Sequence, residues 1–207
     1  MTKQTYGELP CSSPDYQFDS TKPRCHWLDS TKADYVDYHD NEWGEPVHDD
    51  RMLFEYLILE AAQAGLSWYT VLKKRAAYRD AFDDFDVEKV AAYTEADVER
   101  LVQNAGIIRN KLKINASINN AKKFIEIQKE FGSFDQYIWQ FVNHQTIYNR
   151  FENLEDYPAT SAESDAMSKD LKKRGFKFVG STICYAFMQA AGMVNDHQMT
   201  CFKYHHK

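Results

Sequence analysis

Residues 49–68 read DDRMLFEYLILEAAQAGLSW, and their period decides the fold. Leu53, Phe54, Leu57, Ile58, Ala61 and Ala62 recur at the three- and four-residue spacing of one helical face, behind Asp49 or Asp50 as the N-cap. A strand would alternate with a period of two, and this stretch does not. The loop Gly65-Leu66-Ser67-Trp68 follows, where Ser67 can cap a second helix running towards Phe82.

The same signals continue in the C-terminal direction. Asp86 can cap a short helix through Val90, and Thr94-Glu95-Ala96-Asp97 resembles a capping box opening a helix that ends before Gly106. A long helix is expected from about Lys111 to Glu130 and another over Phe134 to Phe141. Ser161 or Ser164 then opens one that stops at Gly175, and Ser181 or Thr182 one that stops at Gly192. Strand alternation is nearly absent, so the expected fold is all-α. In the N-terminal direction, Pro10, Pro14 and scattered Ser, Gly and Asp mark residues 1–22 as an irregular extension, leaving 23–207 as a single helical domain.

With 43% apolar and 27% charged residues the chain is globular in composition, and no apolar run approaches the roughly 20 residues that span a bilayer, so no membrane partner is expected. The N-terminus has no apolar signal core, which makes the cytoplasm the expected location and the four cysteines reduced thiols or metal ligands. A net charge of -6 argues mildly against extended nucleic-acid binding, yet charge is also distributed locally. Arg109, Lys111 and Lys113 follow Gly106, and Lys172, Lys173, Arg174 and Lys177 surround Gly175. Either cluster can meet phosphates or be a solvated helix end.

Three constellations carry possible chemistry. The turn Asn104-Ala105-Gly106-Ile107-Ile108-Arg109-Asn110 joins two helical patterns, as a helix-hairpin-helix element does when glycine lets backbone N–H groups face a phosphate; an ordinary αα-hairpin explains the same letters. Glu60 is a carboxylate among small apolar residues, either surface-facing, paired or functional. Tyr38, Trp43 and Trp68 supply flat surfaces, and a carboxylate beside stacked aromatics suits a flipped purine; aromatics at helical spacing are also ordinary core. Cys25, His39, His197 and Cys201 compose a tetrahedral Cys2His2 zinc set with no position left for water, the last two spaced as on one helical face. Unrelated core thiols and surface imidazoles explain them as well, and His26, His205 and His206 are rival ligands.

The chain resembles the 3-methyladenine DNA glycosylase I family at 38–46 (YHDNEWGEP), 59–68 (LEAAQAGLSW), 105–109 (AGIIR), 141–144 (FVNH), 172–180 (KKRGFKFVG), and 194–197 (VNDH) with Cys201. These motifs span roughly residues 23–201 in the family's order. The resemblance implies a helix-hairpin-helix glycosylase fold with a structural Zn2+ held by Cys25, His39, His197 and Cys201, joining the terminal segments. It implies Glu60 as the catalytic, base-recognising carboxylate, with Tyr38, Trp68 and Trp27 as walls of the substrate pocket. Gly65 and Leu66 would fill the space left by a flipped nucleotide, and Gly106, Arg109 and Lys111 would meet DNA. The implied partners are alkylated double-stranded DNA and free 3-methyladenine as product, handled by a monomer.

The chemistry implied is monofunctional hydrolysis of the N-glycosidic bond in base excision repair, leaving an abasic site. Methylation at N3 makes adenine cationic and a good leaving group, so flipping and holding the nucleotide does most of the work, with water as nucleophile. The pocket motifs contain no lysine suited to a Schiff base, and no residue is assigned to activating the water. Two rival functions are a non-catalytic zinc module that binds DNA or protein, and a hydrolase whose zinc activates water.

Overall fold

The computed structural model describes residues 13–205, and among them ten α-helices carry the fold. They are α1 (Ala33–Asn41), α2 (Asp50–Gln63), α3 (Trp68–Leu72), α4 (Arg75–Ala81), α5 (Val87–Ala91), α6 (Glu95–Gln103), α7 (Lys111–Phe131), α8 (Phe134–Trp139), α9 (Ala162–Lys173) and α10 (Ser181–Ala190). The one departure from all-α is a parallel bridge of β1 (Ile147–Tyr148) and β2 (Val194–Asn195), with Ile147 opposite Val194. Residues 1–12 of the expected extension, and the rival ligand His206, lie outside the described residues; 13–22 form turns without a helix.

Helix α2 is the central element, buried on every side from Leu53 to Ala62 and packed against α7, α8 and α10. Each fully buried Leu, Ile or Phe contributes roughly 1.5–3 kcal/mol, so this helix is a large contributor to the apolar driving force. The expected caps Asp49, Ser67, Asp86 and Ser161 all accept backbone N–H groups, and Thr94 with Asp97 forms the capping box. Two expectations need correction. The helix opened by Ser67 breaks at Lys73–Lys74 before resuming as α4, and α10 is capped by neither Ser181 nor Thr182, since Gly180 is its N-cap and no side chain bonds there.

All-round burial of α2 brings charge inside as well. Glu55 accepts Arg75 Nε at 2.7 Å and Arg79 Nε at 2.9 Å, while Arg75 Nη1 reaches Glu42 Oε2. Burial opposes ionisation of Glu55, yet Arg75 and Arg79 hold its carboxyl below the usual range. This network ties the segment after α1 to α4. Gly192 closes the same region: at φ +66°, an added Cβ would lie 2.2 Å from the Glu45 carbonyl carbon, so only glycine permits the contact.

Candidate active site and metal cluster

Glu60 sits on the last turns of α2, 3% exposed, with no hydrogen bond to its carboxyl among the described residues. Burial alone pushes its pKa up to about 8. An unpaired carboxyl this deep is destabilising unless something else partners it. It lines a cavity of about 320 Å³ together with Trp27, Tyr38, Trp43, Trp68, Tyr157 and Gln189, a size in the ordinary range for small-molecule sites. The Tyr38 and Trp68 rings tilt at 45° with centroids 5.2 Å apart, and Trp27 meets Trp43 edge-on at 4.9 Å. The Nε1 groups of Trp27 and Trp68 are buried donors without acceptors. All four sequence-derived pocket residues, Glu60, Tyr38, Trp68 and Trp27, therefore line one cavity.

The residue after Tyr38 points elsewhere. His39 and His197 bring their rings to 4.9 Å beside the thiols of Cys25 and Cys201, and all four ligand atoms lie within 4.8 Å of one another, fully enclosed. Asp40 Oδ1 holds His39 Nδ1 at 2.8 Å, leaving Nε2 to face the cluster; the Trp43 carbonyl holds His197 Nε2 at 3.0 Å, leaving Nδ1. The sulfur–nitrogen separations are 3.5 Å for Cys25–His197, 3.5 Å for Cys201–His39 and 3.6 Å for Cys201–His197. Tetrahedral bonds of about 2.0 Å to nitrogen and 2.3 Å to sulfur place the two atoms about 3.5 Å apart, so the set fits one tetrahedral metal ion. Four protein ligands leave no place for a reactive water.

His197 and Cys201 are not on a helix as their spacing suggests; a turn closed by Cys201 N–H to the Gln198 carbonyl at 2.8 Å brings them together. The rivals stand apart. His26 is exposed and contacts Gln198, and His205 stacks on Tyr148.

The expected DNA contacts fall into two groups. Gly65 (φ +80°) and Leu66 form the turn after α2, with Leu66 40% exposed. Lys113 Nζ braces this turn, donating to the carbonyls of Ala62 at 2.8 Å and Ala64 at 2.7 Å. Gly106 lies in the α6–α7 turn, but its N–H donates to Asn104 Oδ1 at 2.8 Å and does not face outward for a phosphate. Glycine is needed there because a Cβ would come within 2.8 Å of Ala77 Cβ. Arg109 is exposed, and Lys111 pairs with Glu95 at 2.6 Å on the surface. In the other basic cluster, Arg174 is engaged by Glu130 and Asp170.

Tyr157 and Gln189 escaped the sequence reading. Each is anchored by Asp196, Tyr157 through its hydroxyl to the backbone carbonyl and Gln189 through Nε2 to the carboxylate. Only the tertiary fold, not local spacing, brings residues 157 and 189 into one cavity with residue 60.

Comparison with known proteins agrees with this geometry. The Methyladenine glycosylase family model matches residues 27–204. The chain is 54% identical to DNA-3-methyladenine glycosylase 1 of Escherichia coli (strain K12) over 87% of its own length and 96% of the relative's. A crystal structure of 3-methyladenine DNA glycosylase I superposes with a TM-score of 0.86 at 51% identity, covering 88% of this chain and all of that one. A structure of the Staphylococcus aureus 3-methyladenine DNA glycosylase I, solved for the basis of 3-methyladenine recognition, gives 0.80 at 39% identity over 84% and 93% of the two chains. Among the described residues no helix is long and apolar enough to cross a membrane.

Proposed function

The chain belongs to the methyladenine glycosylase family, and from that premise we propose that its Glu60 cavity is where the damaged base is held. The protein is a DNA repair glycosylase that excises 3-methyladenine from alkylated DNA by hydrolysis. The observation that carries the site assignment is Glu60: a buried carboxyl with no protein partner, enclosed by aromatic faces.

A flipped 3-methyladenine is cationic and presents an exocyclic amine. Both features suit Glu60, because the cation favours the ionised carboxylate that burial disfavours, and the amine donates to it. Tyr38, Trp68 and Trp27 stack on or border the base. Holding the base while the sugar stays with the duplex weakens a bond that methylation has already made labile, and water completes the reaction. Among the described residues no lysine lines the cavity, in keeping with a monofunctional reaction that leaves an abasic site.

Leu66, on a glycine turn between the cavity-lining Gln63 and Trp68, enters the stack as the base leaves and offsets part of an unstacking cost of a few kcal/mol. The α6–α7 turn serves as the hairpin of a helix-hairpin-helix fold, with the exposed Arg109 and with Lys111 able to exchange Glu95 for phosphate. The ion in the Cys25–His39–His197–Cys201 cluster is zinc and structural, on the grounds of donor set and spacing.

The test is release of free 3-methyladenine from methylated duplex DNA, measured by chromatography for the wild type and Glu60→Gln. Loss of base release in the variant is expected; full activity would remove Glu60 from this role.

A further inference from the structure

The cavity that Glu60 lines also holds a polar group whose orientation is imposed from behind. Ala186 and Gln189 lie one turn apart on α10 and both line the cavity. Because residue 186 is a small alanine, the glutamine is the part of that face able to reach a bound base. Gln189 Nε2 donates to Asp196 Oδ2 at 2.8 Å. Asp196 is fully buried and also accepts the Tyr185 hydroxyl at 2.7 Å and Asn149 Nδ2 at 2.7 Å. A carboxylate only accepts, so the nitrogen of the amide must face Asp196 and the oxygen must face away. That oxygen has no hydrogen bond to any described residue and is not among the fully buried unpaired atoms, so it is an accessible acceptor on a side chain that lines the cavity.

We propose that Gln189 is a specificity-determining residue, its amide oxygen accepting a hydrogen bond from the exocyclic amine of a 6-aminopurine and rejecting a 6-oxopurine. This rests on the Glu60 cavity being the base site. The two groups differ in what they tolerate. A carboxyl can donate when protonated and accept when ionised, so Glu60 meets either an amine or a carbonyl edge. The amide of Gln189 cannot turn over without setting its oxygen against the Asp196 carboxylate, so it only accepts. A guanine lesion would place a carbonyl oxygen against it, two acceptors with no proton between them.

Duplex DNA carrying both 3-methyladenine and 3-methylguanine tests the idea, each released base being quantified separately. Gln189→Met is expected to raise KM for the adenine lesion about tenfold with kcat little changed, the value of one lost hydrogen bond of about 1.4 kcal/mol. The adenine-to-guanine release ratio should fall by a similar factor. Asp196→Asn keeps the glutamine but lets its amide turn, and should lower the ratio too. An unchanged ratio in folded Gln189→Met, or an equal loss on both lesions, overturns the proposal. If that variant does not fold, Gln189→Asn, which withdraws the amide by one methylene, is judged by the same ratio. A wild-type protein releasing neither base would instead refute the assignment of the cavity.

Discussion

Tyr38 and His39 are consecutive on α1 and face two different sites: Tyr38 packs its ring 5.2 Å from Trp68 in the base cavity, and His39 brings Nε2 to 3.5 Å from the Cys201 thiol. Successive helical residues project about 100° apart, so one short helix divides its faces between binding and closure. Fixing His39 fixes the rotation of α1, and with it the place of Tyr38. Trp27 and Trp43 extend the coupling, with Trp27 packed 5.4 Å from the His39 ring and Trp43 4.7 Å from that of His197.

Removing the proposed metal is therefore expected to lower stability before it affects any chemical step. Dialysis against a strong chelator should release about one zinc per chain and lower the melting temperature, with metal content and calorimetry followed together. A metal-free protein of unchanged melting temperature would show the cluster to be dispensable.

Glu60→Gln should gain stability while losing function. The carboxyl is raised from 4.5 to about 8, so both folded and unfolded chains are protonated below pH 4.5 and the group costs nothing there. Between pH 4.5 and 8 the unfolded chain releases its proton and the folded chain does not, so the cost rises with pH towards about 5 kcal/mol. The melting temperature of the variant should exceed that of the wild type by a margin that widens from pH 5 to pH 8. A margin independent of pH would contradict a buried, protonated Glu60.

Arg75→Met leaves Glu42 and Glu55 buried without their shared cation and should destabilise the fold by about 3–5 kcal/mol. Urea unfolding measures it. Glu55 keeps Arg79, so a loss under 1 kcal/mol would mean that Glu42 finds another partner.

Lys113→Met removes two hydrogen bonds from the turn that carries Leu66. If that turn enters the base stack, release from duplex DNA should fall roughly tenfold, in line with about 1.4 kcal/mol of lost positioning, while affinity for the free base stays unchanged. Equal loss in both assays would assign the lysine to the pocket or to the fold at large.

How much of this was legible in the sequence varies with the kind of contact. Helix α2 is announced by its apolar period and Asp49, and Thr94 with Asp97 announces α6, because caps and periods are local. Helix α1 gave no such sign. Its inward residues include Asp37, His39 and Asp40, no side chain caps it, and its buried face is polar since it carries ligands and their supports. The motif resemblance identified Glu60, Tyr38, Trp68 and Trp27, all of which line the cavity, whereas Gln189 and Tyr157 depend on where Asp196 comes to rest. The amide of Gly106 is directed by Asn104 Oδ1, a detail that glycine's freedom alone does not foretell.

The span between Cys25 and Cys201 also has a consequence in time. During synthesis Cys25, Trp27, Tyr38, His39 and Trp43 leave the ribosome before their partners at 157, 189, 197 and 201. The aromatic wall must wait, half-formed and sticky, until residue 201 has been made, and translation speed over residues 25–201 sets how long that exposure lasts.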